Sequence, residues 1–427
     1  MRIRINNGRV LNPATGMDEI ADILVENNKI VNISSHIEDG PVDKVIDATK
    51  CYVMPGLIDM HAHLRDPGLT YKETIETGSR AAAKGGFTTI VAMANTKPII
   101  DDGEKLRGVL ASAKISSTIQ VLQVGSITKN LEGKILTSAK ELKEAGAIAL
   151  SEDGKTVMDA ELFRQALRQA GAHDLLILAH CEDENMKDTG VIHDGETAKK
   201  LNLSGISNTV EDVIIARDIL LAKETGARLH ICHCTTADGA KMIALAKKNN
   251  LPITAEVCPH HFTLTDDDIV TGDSNYKMAP PLRSAKDVKA MIRGLQEGTI
   301  DVIATDHAPH AAYEKTEDLN SAAFGIVGLE TAVSLVITEL VKPGLLTPLQ
   351  MAEKMSYNPA QILRLAKGDL SVGKGADITI IDPHIEYTID KNTFVSMGKN
   401  TPFHGRKVFG QVEATIYQGK VVYQISV

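Results

Sequence analysis

The sequence predicts an α/β protein, a (β/α)8 TIM barrel with a small β-sandwich domain built from both chain ends, and three observations carry that reading. From about residue 57 to about 340, short runs rich in Val, Ile, Leu and Ala alternate with longer amphipathic runs, eight pairs in all. Each short run is apolar almost throughout, as parallel strands covered on both faces must be. The two ends of the chain instead carry strand-like segments with hairpin signals.

In order, the strand candidates are "GLIDMHAH", "FTTIVAM", "IQVLQVGS", "AIALSED", "LLILAH", "RLHICH", "PITAEV" and "DVIATD". Helix punctuation separates them. Thr70 with Glu73 reads as a capping box opening "YKETIETGSRAAAKGG", which closes on Gly85 and Gly86. "TVEDVIIARDILLAKETG" is acidic in its first turn and stopped by Gly226. Eight successive βα units favour a closed barrel over a doubly wound open sheet. At the ends, "NNGRV", "VENNKIVNI", "DITIID" and "ATIYQGKVVYQ" look like strands and turns. Neither end has enough strands to close a core alone, so the two are expected to pair. The expected boundaries are 1–54 and 370–427 for the β-sandwich domain and 55–369 for the barrel.

Length and charge narrow the partners. A 427-residue chain of 46.0 kDa holds a large barrel and a small accessory domain. The formal net charge of -9, without a cluster of Lys and Arg, argues against nucleic acid or an anionic membrane. No window approaches the roughly 18 apolar residues of a membrane span. A small-molecule substrate is the expected partner. Nothing suggests export, and five cysteines without framework spacing suit reduced thiols in a cytoplasm.

In such a barrel the active site lies at the carboxyl ends of the strands. Side chains alternate along a strand, so His61 and His63 point the same way. Strand four offers Asp153, strand five His180, strand six His233 and strand eight Asp306. Singly each is weak evidence, because an Asp after a strand is usually a helix cap and a lone His usually a hydrogen-bonded structural residue. Convergence changes the weight: four imidazoles and two carboxylates at one mouth are a typical donor set for zinc. Six ligands exceed one tetrahedral ion, so two metals with one bridging carboxylate are indicated. Such a pair lowers the pKa of a shared water toward about 7 and polarises a carbonyl, which suits amide hydrolysis. Asp306, on the last strand and beside the first, is assigned both ligation and general-base catalysis.

Other polar residues are read more plainly. Cys232 and Cys234 flank His233, should face away from it, and are taken as packing residues. His260 and His261 are taken as structural, since two adjacent histidines cannot both face the mouth. His173 and His193 fall in helix-end or loop contexts and are expected to be solvated. Arg65, Asn95 and His310 follow strands one, two and eight on the loops that roof the site. A guanidinium suits a carboxylate, so Arg65 hints at an acidic substrate.

"PGLIDMHAHLRDPG" together with "ATDHAPH" resembles the amidohydrolase superfamily, and within it the dihydroorotases of the long bacterial and archaeal type. The resemblance extends through "KGGFTTIVAMANTKP", "SEDG", "AHCED", "HICHCTT", "KMAPPLR" and "FGIVGLETA". It implies zinc-dependent, reversible cyclisation of N-carbamoyl-L-aspartate to dihydroorotate, a step of pyrimidine biosynthesis. It also implies that His61, His63 and Asp306 hold one zinc, that His180 and His233 hold the second, and that Asp153 bridges. His63, Arg65, Asn95 and His310 would bind the substrate, with the backbone of Phe324 and Gly325 bordering its ring. One departure stands out: many relatives place Asn before "PPLR", where this chain has Ala279. A homo-oligomer, and a complex with an aspartate transcarbamoylase, are further implications.

The rival enzymes are an allantoinase or a hydantoinase, which typically bridge their metals with a carboxylated lysine on strand four. Here the matching stretch is "SEDG". A non-catalytic, dihydroorotase-like partner of a transcarbamoylase would typically have lost metal histidines, and all four are present.

Overall fold

A computed structural model describes residues 1–38 and 40–425. Five strands lead from the amino end: β1 Arg2–Asn12, β2 Met17–Glu26, β3 Lys29–Ser34, β4 Lys44–Asp47 and β5 Tyr52–Pro55. Three close the chain: β14 Ile378–Thr388, β15 Lys407–Tyr417 and β16 Lys420–Gln424. Both ends share one mixed, eight-stranded sheet of order β16-β15-β14-β5-β1-β2-β3, with β4 also on β1. The join is β5, parallel to β1 and antiparallel to β14. One face of this sheet buries Ile3, Ile5, Ile23, Val53, Ile378 and Ile416, and no described helix contributes to that cluster. Ala48, Cys51, Leu370 and Ala376, from segments between the elements, complete that cluster and close the apolar face to water. Its other face, through Leu11, Met54, Ile381 and Val412, joins the large core of the central segment.

Turn chemistry at the ends is partly as expected. Asn27 (φ 57) makes the β2–β3 turn, and Gln418 with Gly419 makes the last one. "NNGRV" is not a turn: Asn7 (φ 60) and Gly8 sit at a register shift inside β1. There they form a bulge, which leaves the same left-handed signature in the sequence as a hairpin.

The central segment contains every predicted strand: β6 Leu57–Ala62, β7 Phe87–Ala92, β8 Gln120–Gln123, β9 Ala149–Ser151, β10 Leu176–Ala179, β11 Leu229–Ile231, β12 Ile253–Val257 and β13 Val302–Ile303. The helices alternating with them are α1 Ile75–Lys84, α2 Gly103–Ser116, α3 Ala139–Ala145, α4 Ala160–Ala172, α5 Asn208–Thr225, α6 Ala237–Lys248, α7 Ala285–Glu297 and α8 Ala332–Val336. All pairings among these strands are parallel. β8 continues through Gly125–Ser126, which pair with β9. The end of β13 returns to β6: Thr305 N donates to Asp59 Oδ1 at 3.0 Å and His63 N to His307 O at 2.8 Å. The pairings thus run in one ring. Ile58, Met60, Val91, Leu176, Leu178 and Val302 fill its interior, while Leu57, Ile90, Ile177, Ile231 and Ile303 face the helices.

Helix α5 ends at Gly226 (φ 69) as predicted. Helix α1 begins later than its sequence suggested: Thr74 is the cap and accepts from Thr77 N. Glu73 is buried instead, where it accepts from the hydroxyls of Thr77 and Ser396 and approaches His307. A pattern of Thr and Glu three apart is shared by a cap and by a buried tertiary anchor, and only the folded chain separates them.

Candidate active site

Strand parity alone does not deliver His61 and His63 to the mouth. Ile58 and Met60 point into the ring, so an unbroken β6 would send Ala62 inward next. The register slips between Asp59 and Ala62, where three steps on β6 oppose two on β7. This bulge re-aims both imidazoles, a common device beside functional sites. His180, in contrast, follows Leu176 and Leu178 in simple alternation. His233 (φ 30) and Asp306 (φ 47) are turned by left-handed backbone just past their strands, and Arg65 (φ 60) by the same means. Such conformations cost of order 1–3 kcal/mol for a non-glycine residue and persist where surrounding structure enforces them.

The six predicted ligands meet. Asp153 Oδ1 lies 3.3 Å from His61 Nε2, 3.3 Å from His180 Nδ1 and 3.5 Å from His233 Nε2. Its Oδ2 lies 3.4 Å from His63 Nε2. One carboxylate therefore touches all four imidazoles. Asp306 Oδ1 is 3.0 Å from His63 Nε2 and 3.5 Å from His61 Nε2. His180 Nδ1 and His233 Nε2 stand 3.0 Å apart.

Three of the rings are held from behind. His61 Nδ1 donates to Glu256 Oε1 at 2.7 Å, His63 Nδ1 to Asn95 Oδ1 at 2.9 Å and His180 Nε2 to Glu182 Oε2 at 2.9 Å. A proton fixed on the outer nitrogen leaves the inner one as a bare lone pair, the arrangement that orients histidines on metals. His61 Nε2 and Asp153 Oδ1 are buried and find no hydrogen-bond partner among the described residues. Unsatisfied donors and acceptors of this kind are costly unless a cation completes them. The donor set, four imidazoles and two carboxylates, fits zinc. Asp153 and Glu182 both lie against the buried His180 ring, so acidic groups surround the centre of the pocket.

Every other predicted site residue lines the same cavity of about 210 Å³. Arg65 Nε donates to Pro309 O at 3.2 Å, and its Nη2 stands 3.4 Å from His310 Nε2. His310 Nε2 donates to Phe324 O at 2.8 Å. Burial, then the charges of Arg65 and Lys72, push this imidazole down to about 3, so the ring is neutral. Gly325 (φ 115) admits no side chain, since a Cβ would stand 2.6 Å from that of Ala308. Asn95 lines the cavity as expected but also orients His63, a second duty its position after strand two did not reveal.

Residues outside the strand-end set also matter. Glu256 and Glu182 escaped notice because neither closes its own apolar run. Glu256 does lie at an inward position of β12, between outward Ala255 and Val257, which is a usable signal. Cys232 and Cys234 pack as expected but on different sides, Cys232 inside the ring and Cys234 in the helix layer. The strand has ended before them, so alternation no longer relates them to His233. His260 and His261 are buried beside Cys258, and His261 Nε2 donates to Pro280 O at 3.0 Å. His173 is half-buried at the end of α4, and His193 is likewise half-buried rather than solvated.

A ring of parallel strands whose carboxyl ends bring histidines and aspartates to one cavity defines an amidohydrolase, a metal-dependent hydrolase of cyclic amides. Solved structures agree: an L-hydantoinase from Arthrobacter aurescens superposes with TM-score 0.89 at 28% identity, covering 99% of this chain and 96% of that one. A D-hydantoinase from Thermus sp. gives 0.83 at 26%, covering 100% and 97%. The Dihydro-orotase-like family model matches residues 51–239. The dihydroorotases of Pelotomaculum thermopropionicum and Syntrophus aciditrophicus are 48% and 47% identical, each over 99% of this chain and 99% and 100% of their own lengths. The chain belongs to the dihydroorotase family.

Proposed function

We propose that this cavity interconverts N-carbamoyl-L-aspartate and dihydroorotate in pyrimidine biosynthesis. The observation that carries the reading is Asp153, a single carboxylate within reach of all four imidazoles, which could therefore be shared between two ions. We assign His61, His63 and Asp306 to one zinc, His180 and His233 to a second, and Asp153 to both. Bound there, the ions would activate a water and polarise the scissile carbonyl.

The chain's own groups divide the remaining work. Arg65 offers a buried guanidinium to the substrate carboxylate, a match of planar fork to planar acceptor. Neutral His310 and the backbone at Phe324 and Gly325 border the ring, and Asn95 keeps His63 in register. Asp306 contacts His61 and His63 through Oδ1. Its Oδ2 takes the proton of the attacking water during hydrolysis and returns it to the departing amide nitrogen. In the synthetic direction the same oxygen removes the nitrogen's proton.

The solved neighbours are hydantoinases, so a hydantoin or allantoin is the competing substrate. Asp153, in place of a lysine that could be carboxylated, favours the dihydroorotase reading. We further assign residues 55–369 to a (β/α)8 barrel and residues 1–54 with 370–427 to the β unit, and we expect a homo-oligomer able to bind an aspartate transcarbamoylase. The five cysteines are buried and free, which suits a reducing cytoplasm. Among the described residues no helix is long and apolar enough to cross a membrane.

Elemental analysis beside assays on dihydroorotate, hydantoin and allantoin tests the reading, with His61→Ala and Asp306→Asn as controls. About two zinc per chain and turnover of dihydroorotate, lost in both variants, are expected. Turnover of hydantoin or allantoin alone would reassign the substrate, and metal-free protein that zinc cannot activate would make it a scaffold.

A further inference from the structure

We propose that Lys187 is a substrate-binding residue; the inference rests on the dihydroorotase reading above. Lys187 ends the short helix Glu184–Lys187, whose cap, Asp183, follows the strand-five histidine by three residues. Lys187 and Ala279 line the same cavity. The ammonium is mostly buried, donates to Glu182 Oε2 at 2.6 Å, and stands 4.8 Å from the centre of the Phe324 ring. Glu182 is fully buried and also accepts from His180.

An ammonium carries three donors, and Glu182 takes one. The other two find no acceptor among the described residues, although the group borders the cavity. Lysine pays a rotamer cost when fixed, and a donor left bare beside a polar cavity is completed by what enters the cavity. Ala279, which lines the same cavity, presents only a methyl group. An oxygen of carbamoyl aspartate or dihydroorotate lying along Phe324 would therefore take its hydrogen bond from Lys187 Nζ. The anchor on Glu182 holds the lysine in place without consuming its remaining donors, and Arg65 stays free for the carboxylate.

A charge-assisted hydrogen bond of this kind corresponds to roughly 10- to 100-fold in affinity. Steady-state kinetics on Lys187→Met should show KM for dihydroorotate raised by about tenfold or more, with kcat within about threefold and zinc content unchanged. Lys187→Arg should keep most of the affinity, and Ala279→Asn placed in the Lys187→Met chain should recover part of it. A lysine that merely steadied Glu182 and His180 would instead give lower kcat and lower zinc content at constant KM, and that outcome overturns the proposal, as does an unchanged variant. Wild-type protein that fails to turn over dihydroorotate would overturn the functional reading itself, and is distinguished by the wild-type assay alone.

Discussion

Glu256 accepts a 2.7 Å hydrogen bond from His61 Nδ1 on one oxygen and a 3.1 Å hydrogen bond from His230 Nε2 on the other. Strand seven of the ring thereby fixes a ring nitrogen that strand one delivers. Glu256→Gln keeps the shape but weakens the acceptor, so metal affinity should fall about 10- to 100-fold with the fold intact. Competition with a chelator, read by elemental analysis and far-ultraviolet circular dichroism, checks it. Unchanged metal retention would leave Glu256 with a packing role only.

Arg65 is buried, and its guanidinium faces the cavity beside His310. Arg65→Met should raise KM for dihydroorotate by roughly 100-fold, since a charged hydrogen bond to the carboxylate is lost. The same change should leave bound zinc in place. Loss of zinc in this variant would show that Arg65 supports the ligands rather than the substrate.

Away from the site, Arg283 and Glu211 form an ion pair at 3.2 Å, with both side chains 1% exposed. Arg283 also donates to Thr235 Oγ1 and Ile206 O. Arg283→Met would strand Glu211 in a dry interior, at a cost of about 3–5 kcal/mol. Adding Glu211→Gln should recover part of that loss. Denaturant midpoints of the three proteins supply the comparison.

Lys315 Nζ donates to Lys277 O, Ala323 O and Gly325 O, holding the loop that carries Phe324. Burial, then the charge of Lys277, lower its ammonium from the ordinary 10.5 to about 7. Between those values the unfolded chain binds the proton and the folded one releases it, so this group's contribution to stability rises with pH from about 7 to 10.5. Below about 7 both states are protonated and the contribution is flat. Wild-type thermal midpoints should therefore climb relative to those of Lys315→Met across that window, and parallel curves would refute it.

Much of this arrangement was legible one residue at a time. Eight apolar runs, the His61 and His63 pair, and a His or Asp at four later strand ends were enough to single out the six side chains that meet at one cavity, because the end of a parallel strand is a local event in sequence. Gly226 stopped α5 for an equally local reason, its positive φ. The family resemblance covered the same residues and added the proposal that they divide between two ions.

What the chain alone could not decide were the relationships that closure creates. Alternation cannot foresee a bulge, yet the slip between Asp59 and Ala62 is what turns His61 and His63 inward. Glu256 became an orienting group only when closure of the ring brought strand seven within reach of His61, whereas Glu182 holds its near neighbour His180. Glu73 looked like a cap and became an anchor for His307 and Ser396, residues more than 200 positions away. The strands at the two ends were visible, but their union into one sheet was set by the apolar face they had to hide from water. Sequence thus determined which histidines and aspartates stand at strand ends, since residue type and strand ends are local. Tertiary structure decided their aim, their protonation and their partners, because those depend on distances between segments far apart in the chain.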